Sequence, residues 1–263
     1  MEYTWRTEVP APNDVSAGAV LLSSFPSAGL ATTVAGHYMI RALKLPRIGR
    51  FESPDIAPIA VVQSGEVNPT IRVYGHPKLG LVLSEFPPSP SQANALARTI
   101  LHNAEQRGAR LVVCLEGVVP HPESDDEDAD SAEAVPDEQV WVAYSRKDPA
   151  VLKSFETTRV RALDDGVIGG VSGALLVQGI GRSLPVAVLL VSARAAGGLP
   201  DHRAGALLIE TLDRLMPELK IDTGPLRAQA EEIEKALRAA MRTRPSAGPP
   251  PEPETVGANE MYR

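Results

Sequence analysis

Residues 110–119, RLVVCLEGVV, constrain this chain more than any other stretch. A run so nearly continuous in apolar side chains reads as a strand buried on both faces, in the middle of a sheet. Residues 79–84 form a second apolar run, and a helix is expected between the two. Residues 89–91 supply proline and an N-cap for a helix that runs through Gln106, with Leu96, Ile100, Leu101 and Ala104 as its apolar stripe. Gly108 stands where a C-terminal cap belongs. Strand, helix and strand in that order imply a right-handed parallel crossover, and hence an α/β fold.

Other segments fit the same class. Residues 17–23 (AGAVLLS) read as a first buried strand, the turn at 24–29 holds proline and glycine, and 30–43 follow as a helix. Its apolar side is expected to carry Leu30, Val34, Tyr38 and Leu43. Residues 58–63 and 70–74 read as two strands of a hairpin, with Gly65 and Asn68-Pro69 between them. Residues 140–145, 158–163 and 185–191 resume strand character. Asp201 is expected to cap a helix through Met216, with Ala204, Leu207, Leu208 and Leu212 inward. Pro225 lies near the first position of the last helix, whose stripe is Leu226, Ala230, Ile233, Leu237 and Met241. Glu231 with Lys235, and Glu234 with Arg238, are spaced for i,i+4 pairing.

The domain organisation expected is an N-terminal extension (1–14), a single α/β domain (15–242) and a flexible proline-rich tail (243–263). Residues 120–138 interrupt the domain with nine acidic residues and no lysine or arginine, a mobile surface insertion. Removing those nine charges from the net −7 leaves the remainder at +2, so the acidity is local and nothing global suggests nucleic-acid binding. The acidic run lacks the glycine that bends an EF-hand loop. No apolar run is long enough to span a bilayer, and the first residues lack the pattern of a signal peptide. Cys114 is the single cysteine, which rules out an internal disulfide and suggests a buried, inert thiol. A cytoplasmic protein is expected.

Candidates for chemistry are scattered. The turn at 24–29 has neither G-x-G-x-x-G nor Gly-Lys-Ser/Thr, so strand-to-helix geometry explains it better than phosphate binding. The glycine-rich stretch 166–173 offers Ser172 as a nucleophile, but Ala174 stands where the nucleophile elbow requires its last glycine. Close helix-on-sheet packing is the expected reason for those glycines. Glu52, Asp55, Glu85 and Glu116 are candidate acids without an evident partner. His37, His76, His102, His121 and His202 show no metal-ligand spacing. No catalytic, cofactor-binding or metal residue is assigned.

The sequence ends Met261-Tyr262-Arg263, after a stretch with no apolar period. A tether of about 20 residues averages roughly 25 Å end to end and reaches up to about 60 Å where proline extends it. An aromatic residue at that position suits a ligand on a string: Met261 as apolar anchor, Tyr262 as amphipathic plug, and a carboxylate after Arg263.

Three patterns in order resemble the proteasome assembly chaperone family and its archaeal and bacterial homologues. The first is Phe25-Pro26, Gly29-Leu30, Ala35 and Tyr38-Met39-Ile40, with Ser24 and Ser27 where the family more commonly has glycine. The second is the stretch 166–176, similar to the family's late glycine-rich turn and helix. The third runs from Pro185 through Pro200-Asp201 to Ile221-Asp222-Thr223 and a glutamate-rich last helix. Ser192-Ala193-Arg194 replaces the usual acidic Glu-Thr pair.

The resemblance implies a three-layer α/β/α fold, a phosphorylase- or hydrolase-like mixed sheet flanked by helices, without enzymatic activity or cofactor. It implies homo-oligomers, tetramers among the archaeal members. Met261, Tyr262 and Arg263 then match the hydrophobic-tyrosine-any-residue ending that docks into pockets between α-subunits of the proteasome core particle. The expected function is a proteasome assembly chaperone or ATP-independent activator, with no nucleic-acid or membrane partner. The alternative is a small-molecule-binding or hydrolytic enzyme of phosphorylase-like fold, suggested by the turn at 166–173.

Overall fold

The computed structural model describes residues 2–8, 15–119, 138–194 and 199–243, with side chains through residue 236. Most of the acidic run, and the tail residues Met261, Tyr262 and Arg263, lie outside the described residues.

Four parallel strands make the centre: β7 (Leu79–Ser84), β2 (Val20–Ser24), β8 (Leu111–Val118) and β11 (Val186–Ser192), side by side in that order. Leu22 sits opposite Val113, and Leu189 opposite Leu115. β2, β7 and β11 are buried at every residue, as strands covered on both faces must be. Antiparallel strands extend one side: β6 (Ile71–His76), β3 (Arg47–Glu52) and β1 (Thr4–Thr7). On the other side lie β9 (Val140–Tyr144), antiparallel to β11, and β10 (Arg161–Ala162), parallel to β9.

Helices cover both faces of this mixed sheet, nine-stranded among the described residues, the three-layer α/β/α fold expected from the sequence. α2 (Pro90–Gln106) and α4 (Gly170–Gly179) pack together on one face. α1 (Ala31–Ala42), α3 (Pro149–Phe155), α5 (His202–Leu215) and α6 (Gly224–Thr243) occupy the other. Strand alternation divides the core between them. Leu111, Val113 and Leu115 of β8 face the α1/α5 side, while Val112 and Cys114 face α2 and α4. Each aliphatic side chain buried completely in this way contributes roughly 1.5–3 kcal/mol.

The helix boundaries follow their caps. Ser89 and Gln92 form a capping box at α2: Ser89 Oγ accepts from Gln92 N at 3.4 Å, and Gln92 Oε1 from Ser89 N at 2.7 Å. Asp201 Oδ1 accepts from Ala204 N at 2.9 Å and sets the start of α5.

Several sequence expectations are corrected. The hairpin is a separate two-stranded unit of β4 (Val61–Gln63) and β5 (Glu66–Asn68), in which Val61 pairs with Asn68. Residues 71–76 instead join the main sheet, because Ser64 and Gly65, both at positive φ, complete a tight turn within β4–β5. β3 and α3 had no clear sequence signal: RIGRFE is charge-laden, and PAVLKSF is too short for an apolar stripe. Within the 1–14 stretch, Thr4–Thr7 form the edge strand β1.

The buried side of α1 is Ala31, Thr32, Ala35, Gly36 and Met39, not the line through Leu30, which is 39% exposed. Small residues bring α1 close to the sheet. Tyr38, on its flank, donates to the Asp222 carbonyl at 2.6 Å just ahead of α6. Along α6, Leu226 is buried, Ala230 and Ile233 are half-buried, and the side chains of Leu237 and Met241 lie outside the described residues. Glu234 accepts from Arg194 Nη2 at 2.8 Å, so α6 is tied to the end of β11.

Candidate functional site

The neighbouring strands β7 and β2 send their connections to opposite faces, β7 to α2 and β2 to α1. Such a reversal opens a crevice at the carboxyl ends of the strands, the usual ligand position in open α/β sheets. A cleft of about 320 Å³ lies there, bounded by the loops after β2 and β7, the end of β8 and the first turn of α4.

Its polar floor is two residues from different elements. Glu116, on β8, points to the α4 face, and Ser172, in the first turn of α4, donates to Glu116 Oε2 at 2.7 Å. Burial pushes the Glu116 carboxyl up to about 7, and the Ser172 hydrogen bond only partly opposes it. Glu116 is therefore a carboxyl that gains or loses its proton near neutrality. Cys114, two residues earlier on the same face, is fully buried, and burial together with nearby Glu116 raises its thiol far above the ordinary range. An inert thiol was expected, and the environment agrees.

Local backbone geometry sets Ser172 in place. Gly170 has φ +61°, which a side chain would strain. A Cβ on Gly173 would stand 2.2 Å from the Ile168 carbonyl oxygen, so α4 can begin this close to its own loop only with glycine there. The sequence reading assigned these glycines to helix-on-sheet packing. The contact is instead within the loop, and Gly179 is the α4 glycine whose Cβ would meet the sheet, at Val186 and Ser145.

The turn at 24–29 is committed to internal bonds. Ser27 Oγ accepts from Gly117 N at 2.9 Å and donates to Thr32 Oγ1 at 3.2 Å, while Ser24 Oγ donates to the Thr32 carbonyl at 2.8 Å. Ser24 and Ser27 tie β2, α1 and β8 together.

A second carboxylate stands on the opposite face. Glu85, just past β7, pairs with Arg72 of β6 and lies 2.9 Å from His37 Nε2 of α1. Arg72 is completely buried. Burial pushes Glu85 up, but the His37 hydrogen bond and the Arg72 charge outweigh it and hold the carboxyl below its usual range. Arg72 Nε and Nη1 and Glu85 Oε2 have no hydrogen-bond partner among the described residues.

The other candidates lie apart. Glu52, at the sheet edge, accepts from Arg6 and Arg50, and Asp55 makes a local contact with Ser53 at 3.4 Å. His76 accepts from Lys78 N, His202 rests near the Pro200 carbonyl, and His121 lies outside the described residues. Among the described residues no group of three or more His, Cys, Asp or Glu can hold a metal ion, and no helix is long and apolar enough to cross a membrane. Sequence reasoning named Ser172 and Glu116 separately but did not join them, and it passed over Arg72. A lone charge inside an apolar strand, in LVVCLEGV and in IRVY, is the signal common to both sites.

The fold and the crevice define an open α/β protein with a parallel centre and a cleft at its carboxyl ends. The PAC2 family matches residues 21–241, and the chain belongs to that family. An uncharacterized protein of Methanocaldococcus jannaschii is 29% identical over 219 residues, 83% of this chain and 84% of the relative. Among solved structures, Pyrococcus furiosus PbaA, described as an archaeal homolog of proteasome-assembly chaperone, superposes with a TM-score of 0.74 at 25% identity. That likeness covers 90% of this chain and 92% of PbaA. Pyrococcus furiosus PbaB, described as an archaeal proteasome activator, shares the fold at 19% identity with a TM-score of 0.72, over 91% of this chain and 99% of PbaB.

Proposed function

We propose that this protein is a proteasome-related binding protein, an assembly chaperone or ATP-independent activator that acts without catalysis. The observation that carries this reading is membership of the PAC2 family over residues 21–241, together with the likeness to PbaA across 90% of the chain. A non-enzymatic role is supported by the composition of the cleft: Ser172 meets a carboxyl, and no histidine or lysine is among the described residues that line it.

In this reading Met261, Tyr262 and Arg263 dock onto the α-ring of the proteasome core particle. Met261 fills an apolar site between neighbouring α-subunits, Tyr262 packs and hydrogen-bonds beside it, and the carboxylate after Arg263 meets a lysine in a charge-assisted contact. One short tail binds weakly. A homo-oligomer, a tetramer in the archaeal pattern, presents several and gains affinity through effective concentration. The cytoplasm is where the two partners meet.

A pull-down with purified core particles tests this reading. The full-length chain is retained, and a chain ending at Glu260 is lost. Equal retention of both overturns the docking role, and retention of neither overturns the proteasome reading itself.

A further inference from the structure

The cleft beside Glu116 is not used by the proteasome reading. Its walls are apolar: Phe25 and Pro26 after β2, Pro87 and Pro88 before α2, Val118 on β8 and Leu190 on β11. Glu116 is the one ionisable side chain among the described residues that line the cleft. Ser172 holds Glu116 Oε2, and Oε1 makes no hydrogen bond among the described residues. Among the described lining residues no cationic side chain offsets the negative charge that Glu116 carries when ionised, and the first turn of α4 supplies only the partial positive charge of its N–H groups.

A volume of about 320 Å³ is at the small end of ligand pockets. It suits a single ring or a short branched chain. An anion entering there meets the Glu116 carboxylate at close range, where like charges repel. A neutral molecule leaves the carboxylate without a counter-charge. A cation with N–H donors hydrogen-bonds to Oε1 and balances the charge, while an apolar body covers the prolines and Leu190.

The geometry points to this cleft as a binding site for a small organic cation, an ammonium or amidinium group on an apolar skeleton, with Glu116 as counter-ion and Ser172 as the group that orients it. The chain ending at Glu260 retains every described lining residue of the cleft.

Benzylamine and benzamidine are suitable probes, with benzyl alcohol and benzamide as their uncharged counterparts. Calorimetric or NMR titration of the full chain at pH 8 shows saturable binding of the cations, at least about tenfold tighter than the neutral molecules. Glu116→Gln weakens the cations by about tenfold or more and leaves the neutral molecules unchanged. With Glu116 titrating at about 7, wild-type affinity for benzylamine falls about tenfold from pH 8 to pH 6, because the amine stays charged and the carboxyl does not. That wild-type pH profile decides the matter even where Glu116→Gln unfolds the chain. Absence of saturable binding at millimolar benzylamine, equal binding of benzyl alcohol, or an affinity that does not change between pH 6 and pH 8 overturns the proposal.

Discussion

Glu85 and Glu116 stand near the carboxyl ends of two parallel strands, β7 and β8, on either side of β2. They face opposite layers and have opposite companions. Glu85 has the buried Arg72 and the half-buried His37, so its charge is matched inside the protein. Glu116 has a hydroxyl, and its charge is not matched. Burial alone treats both carboxyls in the same way, raising their proton affinity. The companions decide the outcome: the His37 hydrogen bond and the Arg72 charge hold one carboxyl below its ordinary range, and the other ends near 7. A matched buried charge holds two strands and a helix in register. An unmatched one at a cleft is available to something from outside.

The largest effect is expected from breaking the matched side. Arg72→Met leaves Glu85 partly buried without its counter-charge and costs about 3–5 kcal/mol, measured by urea unfolding at pH 7. A wild-type midpoint would show that Arg72 and Glu85 do not act as a pair, and the contrast with Glu116 would disappear.

Glu116→Gln is expected to act in the opposite direction and with the opposite pH dependence. The raised folded-state value means that Glu116 contributes stability fully present below about 4.5 and lost as pH rises through about 7. The glutamine variant therefore matches wild type near pH 4.5 and exceeds it by up to about 3 kcal/mol at pH 8. Glu85→Gln shows the reverse trend. The stability that Glu85 contributes is present above its unfolded value and lost as pH falls through its lower folded one, so the deficit of this variant shrinks on acidification. Parallel pH profiles for the two variants would remove the distinction drawn here.

Gly173→Ala tests the backbone that carries Ser172 to Glu116. Its Cβ meets the Ile168 carbonyl, and the expected loss is about 1–3 kcal/mol in thermal or denaturant unfolding. Gly169→Ala, at φ −102° with open space at its Cβ, is expected to change stability by less than about 0.5 kcal/mol. Ser172→Ala has the smallest effect on the matched–unmatched contrast but sharpens it. It costs about 1 kcal/mol and moves the Glu116 titration, followed by carboxyl carbon NMR, still higher, because the Ser172 bond favours the charged form.

Much of the fold was legible in sequence order. The strands at 79–84 and 110–119, the helix capped by Ser89 and the helix capped by Asp201 stand within a residue or two of their expected limits. Their signals are local: an apolar run too dense for a surface strand, or a capping side chain three residues from its target. β3 failed because its partners, β1 and β6, lie far away along the chain, and RIGRFE has no alternation strong enough to identify it alone. The stripe on α1 was misplaced by one position because alanines and glycine, not its larger residues, meet the sheet.

The candidate site was half legible. Ser172 and Glu116 both drew notice, yet 56 residues separate them, and only the pairing of β8 with β11 and the placement of α4 bring them to 2.7 Å. Residues 21–241 carry the family in their order of runs, turns and glycines, so kinship, layer architecture and helix caps follow from sequence, where neighbours along the chain set the physics. Which carboxyl receives an arginine and which is left facing a cleft is a question of distance through space. Charge compensation acts between side chains that only the assembled sheet makes neighbours.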